Sequence, residues 1–471
     1  MLTAQDRALI FYDTETTGIN KDFSQIIQCG SIKTDLKLNT LASQNISSSP
    51  LPWIIPQPKA FLTNKKTHLF NINNSHYQMI KDIHLQWREW TQDIEGIFIS
   101  YNGHSFDDEL LRRQFFSNLF EPYITNTNGN SRLDLMLVMH NIATFFQSSF
   151  EFPLFNDDGR ISYKLEDIAK FHGIRTDDAH DAEADCKLMI EVCKILSDKS
   201  PEIFNSFLKI SSKQGVMELL RSSGFLALGE IFCRHVFSYP VVFCGSDQNR
   251  PNDIALFDLS YDPDDILDLD FIEINKIIQS GGRDTPIKKY KINKTIPICH
   301  SNLIENKNIF DISFDELNKR ALKIQNNQDF IDKVSQALSD RMVSFKDPEH
   351  VEGSIYSGGF ASFKDKDLMQ QFHLLIDDPD NLIKISRNFE DDRYRIFAER
   401  IISYLYPSQT PEDIQNRYKE LIDERLSSDG PWGSLKKAID ETESLLEDND
   451  DSEKQKILNS TLKYLKSIRL S

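Results

Sequence analysis

The sequence predicts an α/β domain over residues 1–200, a strand-bearing middle domain over 201–352 and a helical domain over 353–471. Three patterns carry that division. In the first stretch, short apolar runs alternate with amphipathic helical runs, the texture of a layered α/β fold. In the second, the runs at 236–243, 253–259 and 288–292 read as short strands, followed by a helical stretch at 315–341. In the third, a glycine- and serine-bearing connector at 353–363 gives way to helical spacing. There Ile396, Phe397, Ile401 and Leu405 recur along 392–406, and further helices are expected at 434–447 and 453–469. At 471 residues the chain exceeds what one ordinary core holds.

The first strand is Ala8-Leu9-Ile10-Phe11-Tyr12, and it runs into Asp13-Thr14-Glu15. Residues two apart on a strand share a face, so Asp13 and Glu15 point the same way. Two adjacent carboxylates disfavour joint ionisation unless a cation lies between them. Hard divalent ions such as Mg²⁺ take oxygen ligands and leave positions open for phosphate. On its own, Asp-x-Glu reads equally as a strand end with two solvated acids.

A second strand, Ile97-Phe98-Ile99-Ser100, leads through Tyr101-Asn102-Gly103-His104-Ser105-Phe106 to Asp107. Asp107 opens a helix with Leu110, Leu111 and Phe115 on one stripe, where a carboxylate favours the helix dipole or caps the first turn. Further on, His180 precedes a helix on which Met189, Ile190, Cys193 and Leu196 face inward, and Asp185 lies in its second turn. A histidine in that place, taken alone, is commonly structural.

Asp-x-Glu on the first strand, Asp after Asn-x-x-x-Phe, and His-x-x-x-x-Asp on a late helix occur in that order here. The set resembles the DEDDh family of 3′→5′ exonucleases. The 163–174 stretch, with Tyr163-Lys164-Leu165-Glu166-Asp167, also resembles the family segment before the final motif. Over nearly the whole chain the sequence resembles the exonuclease I family of bacteria. That likeness rests on Phe106-Asp107-Asp108-Glu109, Asn156-Asp157-Asp158-Gly159, Ile292-Asn293-Lys294 with Pro297, Ile355-Tyr356-Ser357-Gly358-Gly359-Phe360 and Asp392-Arg393-Tyr394. Two departures stand out: Gly103-His104-Ser105 before Phe106, and Lys164 where Arg is expected.

The resemblance implies a ribonuclease H-like exonuclease domain, an SH3-like middle domain and a helical C-terminal domain. It implies single-strand-specific 3′→5′ hydrolysis of DNA to mononucleotides in DNA repair and recombination, with two Mg²⁺ ions and Mn²⁺ as a substitute. Asp13, Glu15 and Asp185 would hold one ion, Asp13 would bridge to the second, and Asp107 would assist directly or through water. His180 would be the general base, since imidazole titrates near neutrality. Arg112, Tyr123 and Lys164 match positions at which the family touches DNA. Lys213 and Lys288 are further candidates from the middle domain that read equally as surface charges. The family partner is single-stranded-DNA-binding protein, engaged through its acidic C-terminal tail. Asp108 is set aside as a solvated or helix-capping acid, and Asp181 and Glu183 as acids of the first helical turn, which the helix dipole favours. The alternatives are a DEDDh ribonuclease or proofreading exonuclease, and a catalytically silent nucleic-acid-binding scaffold. The roughly 270 further residues disfavour the shorter enzymes, and the five intact motif residues disfavour the scaffold.

Composition adds bounds. Hydrophobic residues at 39% and charged residues at 27% fit a globular protein. No apolar run approaches the roughly 20 residues of a membrane helix. The N-terminus lacks the apolar stretch of a signal peptide. Six cysteines without a Cys-x-x-Cys pair suggest buried thiols in a reducing cytoplasm, with no disulfide framework and no zinc. A monomer is expected. The formal net charge of -18 opposes indiscriminate binding of nucleic acid. Part of it, however, sits in acidic runs at 262–270 and 445–453, so local Lys and Arg remain able to track a strand.

Overall fold

The computed structural model describes residues 7–155, 160–176, 181–304, 306–341 and 347–468. A five-stranded mixed sheet forms the first domain, from β1 (Arg7–Thr16), β2 (Ile26–Thr34), β3 (Thr40–Ser47), β4 (Glu95–Ser100) and β5 (Ser131–Asp134), in the order β3-β2-β1-β4-β5. β1 pairs antiparallel with β2 and parallel with β4, and β4 pairs parallel with β5. This is the ribonuclease H-like arrangement. The helices are α1 (Pro58–Asn64), α2 (His76–Trp90), α3 (Asp107–Ser117), α4 (Leu135–Phe145), α5 (Leu165–Phe171), α6 (Ala182–Lys199), α7 (Pro201–Lys209) and α8 (Lys213–Leu220).

The two faces of β1 follow its alternation. Leu9 and Phe11 join a core with Val138 and Ile142 of α4 and Met189 and Cys193 of α6. Ile10 and Tyr12 join the opposite core with Trp87 of α2 and Leu111 and Phe115 of α3. Asp13 and Glu15 continue the first of these faces, so they emerge beneath α6.

The middle domain is a second five-stranded sheet of β6 (Leu226–Phe232), β7 (His235–Ser246), β8 (Asp253–Asp258), β9 (Ile287–Lys291) and β10 (Ile298–His300), ordered β10-β6-β7-β8-β9 and antiparallel throughout. It stands where the SH3-like barrel is expected. Alongside it run α9 (Phe271–Ser280), α10 (Phe314–Gln325) and α11 (Gln328–Ser339). The helical stretch expected at 315–341 is thus two helices, because the Asn327 side chain accepts from Phe330 N and restarts the second. Leu226, Leu228, Val241, Ile254 and Leu256 share one core with the first domain, and Asn141 of α4 donates to the carbonyls of Ala227 and Pro297. One face of each sheet is therefore buried in a common core, while the other face of the middle sheet has its own core with α9, α10 and α11.

The last segment contributes α12 (Phe363–Leu374), α13 (Pro379–Ser386), α14 (Asp392–Leu405), α15 (Glu412–Ser427), α16 (Leu435–Glu447) and α17 (Ser452–Ile468). Phe372, Leu382 and Phe397 pack on Phe116 and Phe120 beside α3. The α16–α17 pair closes over the stretch around α1, where the Phe70 and Tyr464 rings stack at 4.2 Å. Among the described residues, no helix is long and apolar enough to cross a membrane. Five of the six cysteines are buried. Cys233 is exposed at the β6–β7 turn, and this corrects the expectation of uniformly buried thiols.

Candidate active site

Asp13 and Glu15 at the end of β1 and Asp185 of α6 each offer a carboxylate oxygen, and these oxygens lie within 4.8 Å of one another. Gly30 makes the approach of α6 possible. It pairs with Asp13 in the β1–β2 register, and a Cβ there would run into the backbone of Ala182 and Glu183. Cys186 reinforces the contact by donating to the Gly30 carbonyl at 3.4 Å. Nothing in the sequence singles out Gly30, because a lone glycine inside a strand shows its purpose only when another backbone lies on it.

Asp107 stands beside this triplet at the start of α3. It is buried, and its carboxylate accepts the Thr14 hydroxyl. Burial and mutual repulsion push these acids upward. Asp13 is raised well above the carboxylate range, first by burial and then by Asp107, Asp185 and Glu15. Glu15 is raised to about 8 by burial and Asp185, and Asp107 to about 7 by burial, against the pull of the Thr14 hydrogen bond. A set of oxygen-only donors that repel one another this strongly fits a hard divalent cation, whose charge favours ionisation of its ligands.

His180 and the 156–159 stretch lie outside the described residues. Of the DNA-contact candidates, Lys164 is exposed at the start of α5 and Lys213 is exposed at the start of α8. Arg112 donates to Glu109 at 3.0 Å and to the Tyr356 hydroxyl at 3.3 Å, and its guanidinium lies 5.6 Å from the ring of half-buried Tyr123. Lys288 is corrected. It is 6% exposed, donates to the Arg283 carbonyl at 2.8 Å, faces Asp258 at 3.6 Å and covers the Tyr239 ring, so it holds the middle sheet together instead of meeting a strand.

Asp108 is corrected too. It is neither solvated nor a cap. It is buried, accepts from the Tyr12 hydroxyl, and pairs with His104 at 2.8 Å and Arg132 at 2.7 Å. His104 Nε2 accepts from Thr295 N at 2.9 Å, so the departure at Gly103-His104-Ser105 becomes a buried link to the middle domain. Asp181 is the N-cap of α6, one residue ahead of the first turn expected for it, accepting from Glu183 and Ala184 N, and it also pairs with Lys66 at 2.7 Å. Glu183 pairs with Lys187 along the helix at 3.1 Å.

A ribonuclease H-like sheet carrying these acids defines an exonuclease of the DEDDh class. Residues 10–193 match a family model described as Exonuclease, and residues 349–468 match one described as Exonuclease I C-terminal domain. The two matched segments together place an exonuclease domain and an exonuclease I C-terminal domain in one chain. Exodeoxyribonuclease I of Buchnera aphidicola subsp. Acyrthosiphon pisum is 27% identical over 406 residues, which cover 82% of this chain and 94% of that protein. The Escherichia coli K12 protein of the same name is 25% identical over 484 residues, covering 98% of each. Among solved structures, E. coli exonuclease I with a dA16 oligonucleotide matches with a TM-score of 0.81 at 23% identity, over 98% of this chain and 100% of that one. Others hold E. coli exonuclease I with single-stranded DNA and a zinc ion, or are described as SSB/exonuclease I with an inhibitor.

Proposed function

We propose that this protein is a single-strand-specific 3′→5′ exodeoxyribonuclease that releases 5′-mononucleotides. The observation that carries the reading is the convergence of Asp13, Glu15 and Asp185, with Asp107 beside them, at the end of the central strand. The exodeoxyribonuclease relatives and the oligonucleotide complex of one of them support DNA as the substrate.

In this mechanism Asp13, Glu15 and Asp185 would hold one divalent ion, and Asp13 with Asp107 would help to hold a second. Mg²⁺ is the natural occupant because every donor is an oxygen, and Mn²⁺ substitutes. The two ions, when bound, supply charge stabilisation at the attacking and leaving oxygens of an in-line displacement. His180 takes a proton from the attacking water, a role an imidazole near neutrality can fill. Thr14 holds Asp107 in place. Arg112, Tyr123, Lys164 and Lys213 meet the strand through phosphate contacts and base stacking, the general recipe for single strands. The middle and C-terminal domains narrow the groove against duplex and retain the strand between cuts.

The protein acts as a monomer in the cytoplasm, in repair and recombination. Its partner is single-stranded-DNA-binding protein, a pairing supported by the SSB/exonuclease I structure. The deciding experiment uses DNA labelled at either end, single-stranded or duplex, beside RNA of the same sequence. Mg²⁺-dependent shortening from the 3′ end of single-stranded DNA, abolished by EDTA, is expected. Equal cleavage of RNA, or no cleavage in Mg²⁺ or Mn²⁺, overturns the reading.

A further inference from the structure

Lys65 and Lys66 follow α1 and diverge. The left-handed backbone of Lys65, with φ of 59°, turns its side chain outward to Glu453 of α17 at 2.9 Å. Lys66 turns inward and is 8% exposed. Its position is fixed from the backbone: Lys66 N donates to Asn64 Oδ1 at 3.0 Å, and Asn64 Nδ2 donates at 3.0 Å to the carbonyl of Thr16, next to Glu15. The ammonium then meets Asp181 Oδ2 at 2.7 Å. Lysine is rarely buried without a charged partner.

Asp181 does not need Lys66 for its hydrogen bonds. Gln28 donates to it at 2.8 Å and Asn45 at 3.4 Å, and Glu183 and Ala184 N complete the cap. What neutral donors cannot do is cancel its charge. Asp181 adds to the repulsion felt by Asp13 and Glu15, whereas Lys66 opposes it at Glu15. Left uncancelled, Asp181 is one more carboxylate competing for a cation, one helical turn before Asp185.

We propose that Lys66 is a positioning residue that neutralises Asp181 and so reserves the divalent ions for Asp13, Glu15, Asp107 and Asp185. This inference rests on the proposed reading of the acids as a metal site. Charge counting agrees with it. Asp13, Glu15, Asp107, Asp181 and Asp185 carry five negative charges, which two divalent ions and one ammonium balance.

The test is calorimetric titration of Mn²⁺ into the full chain without DNA, at fixed pH and ionic strength. Lys66→Met should bind Mn²⁺ about tenfold more tightly, the scale of one unscreened charge a few ångströms from a site. Asp181→Asn keeps the helix cap, because Asn caps as well as Asp. It strands the ammonium and should weaken binding by a similar factor. The double variant should return close to wild type, and Lys66→Arg should not depart from it. A purely structural role predicts instead that both single variants weaken binding and that the double variant weakens it most. Unchanged or weaker binding in Lys66→Met overturns the inference, as does a double variant that fails to return. If Lys66→Met does not fold, Asp181→Asn decides alone, and equal or tighter binding there overturns the inference as well. Failure of the wild-type chain to bind Mn²⁺ at all removes the metal reading and this inference together. Each of the other contrary results removes this inference only.

Discussion

Gly30 lies opposite Asp13 in the β1–β2 register, and the space a side chain would need at Gly30 is filled by the backbone of Ala182 and Glu183. The end of the central strand and the start of the helix that delivers Asp185 are thus in contact through a residue without a side chain. Gly30→Ala should force α6 away. Overpacking of this kind costs about 1–3 kcal/mol, so the variant should still fold. Its turnover and its stabilisation by Mn²⁺ should both collapse, because Asp185 no longer reaches Asp13 and Glu15. Thermal melting with and without Mn²⁺, beside turnover on single-stranded DNA, checks this.

Asp13 is the acid most surrounded by others, since Asp107, Asp185, Glu15 and Asp181 all add to its upward shift. Asp13→Asn should therefore melt higher than wild type in EDTA and lose nearly all turnover in Mg²⁺. Affinity for single-stranded DNA without metal should change little. Near-normal cleavage by this variant would sink the assignment of the site.

The pH dependence has a definite sign. Glu15 is raised to about 8 and Asp107 to about 7 in the folded chain, and both fall near 4 when unfolded. Between those limits the native state holds protons that the unfolded chain has released. Their contribution to stability is complete below about pH 4 and is lost as pH rises through 7 to 8. A bound metal replaces those protons, so metal should stabilise more at pH 8 than at pH 6. Buried His76 and His84, lowered to about 3 by loss of solvent, act in the opposite sense below about pH 6.5. The quantity to follow is thus the melting difference between metal and EDTA at each pH. A difference that shrinks from pH 6 to pH 8 would contradict the account.

His180 is placed by its motif alone. His180→Ala should slow the chemical step about 10²–10⁴-fold, the usual worth of a general base. Mn²⁺ affinity should survive, since His180 is not among the assigned ligands. Single-turnover quench-flow separates the two effects, and normal chemistry with weakened metal binding would make His180 a ligand.

The parts of the site readable in the sequence were those set by local periodicity. The alternation of β1 places Asp13 and Glu15 together, and the apolar stripes of α3 and α6 give the orientation of Asp107 and Asp185. The parts that were not readable depend on partners distant in the chain. Asp108 looked solvated because its partner Arg132 is supplied by β5, and its other partner His104 is held in place by Thr295 of the middle domain. Lys288 looked like a surface charge because its alternation on β9 does not reveal that Asp258 and the Tyr239 ring lie against it. Lys66 carried no signal, since nothing in its neighbourhood announces that Asp181 waits beside it. Domain texture was legible, but the shared core of the first two domains was not, because periodicity marks an apolar face and not what covers it.

Asp107 and Asp108 are neighbours on α3 with opposite expected behaviour. Asp107 is an acid held among acids, with the Thr14 hydroxyl as its fixed partner. Asp108 is an acid held among donors, and Tyr12, His104 and Arg132 keep its carboxyl well below the usual range despite burial. Asp107→Asn removes a repelled charge, so it should keep or raise stability in EDTA and lose most turnover. Asp108→Asn leaves Arg132, itself buried, without its carboxylate partner among the described residues. Breaking one side of a buried pair costs about 3–5 kcal/mol, a large share of the stability of a typical domain. Asp108→Asn should therefore unfold at much lower urea, while turnover per folded molecule, measured at low temperature, should fall far less than in Asp107→Asn. Urea unfolding in EDTA at pH 7.5 and turnover at about 15 °C would show the split. Two variants with the same loss of stability and the same loss of turnover would mean that the adjacent acids do not divide the work as their partners indicate.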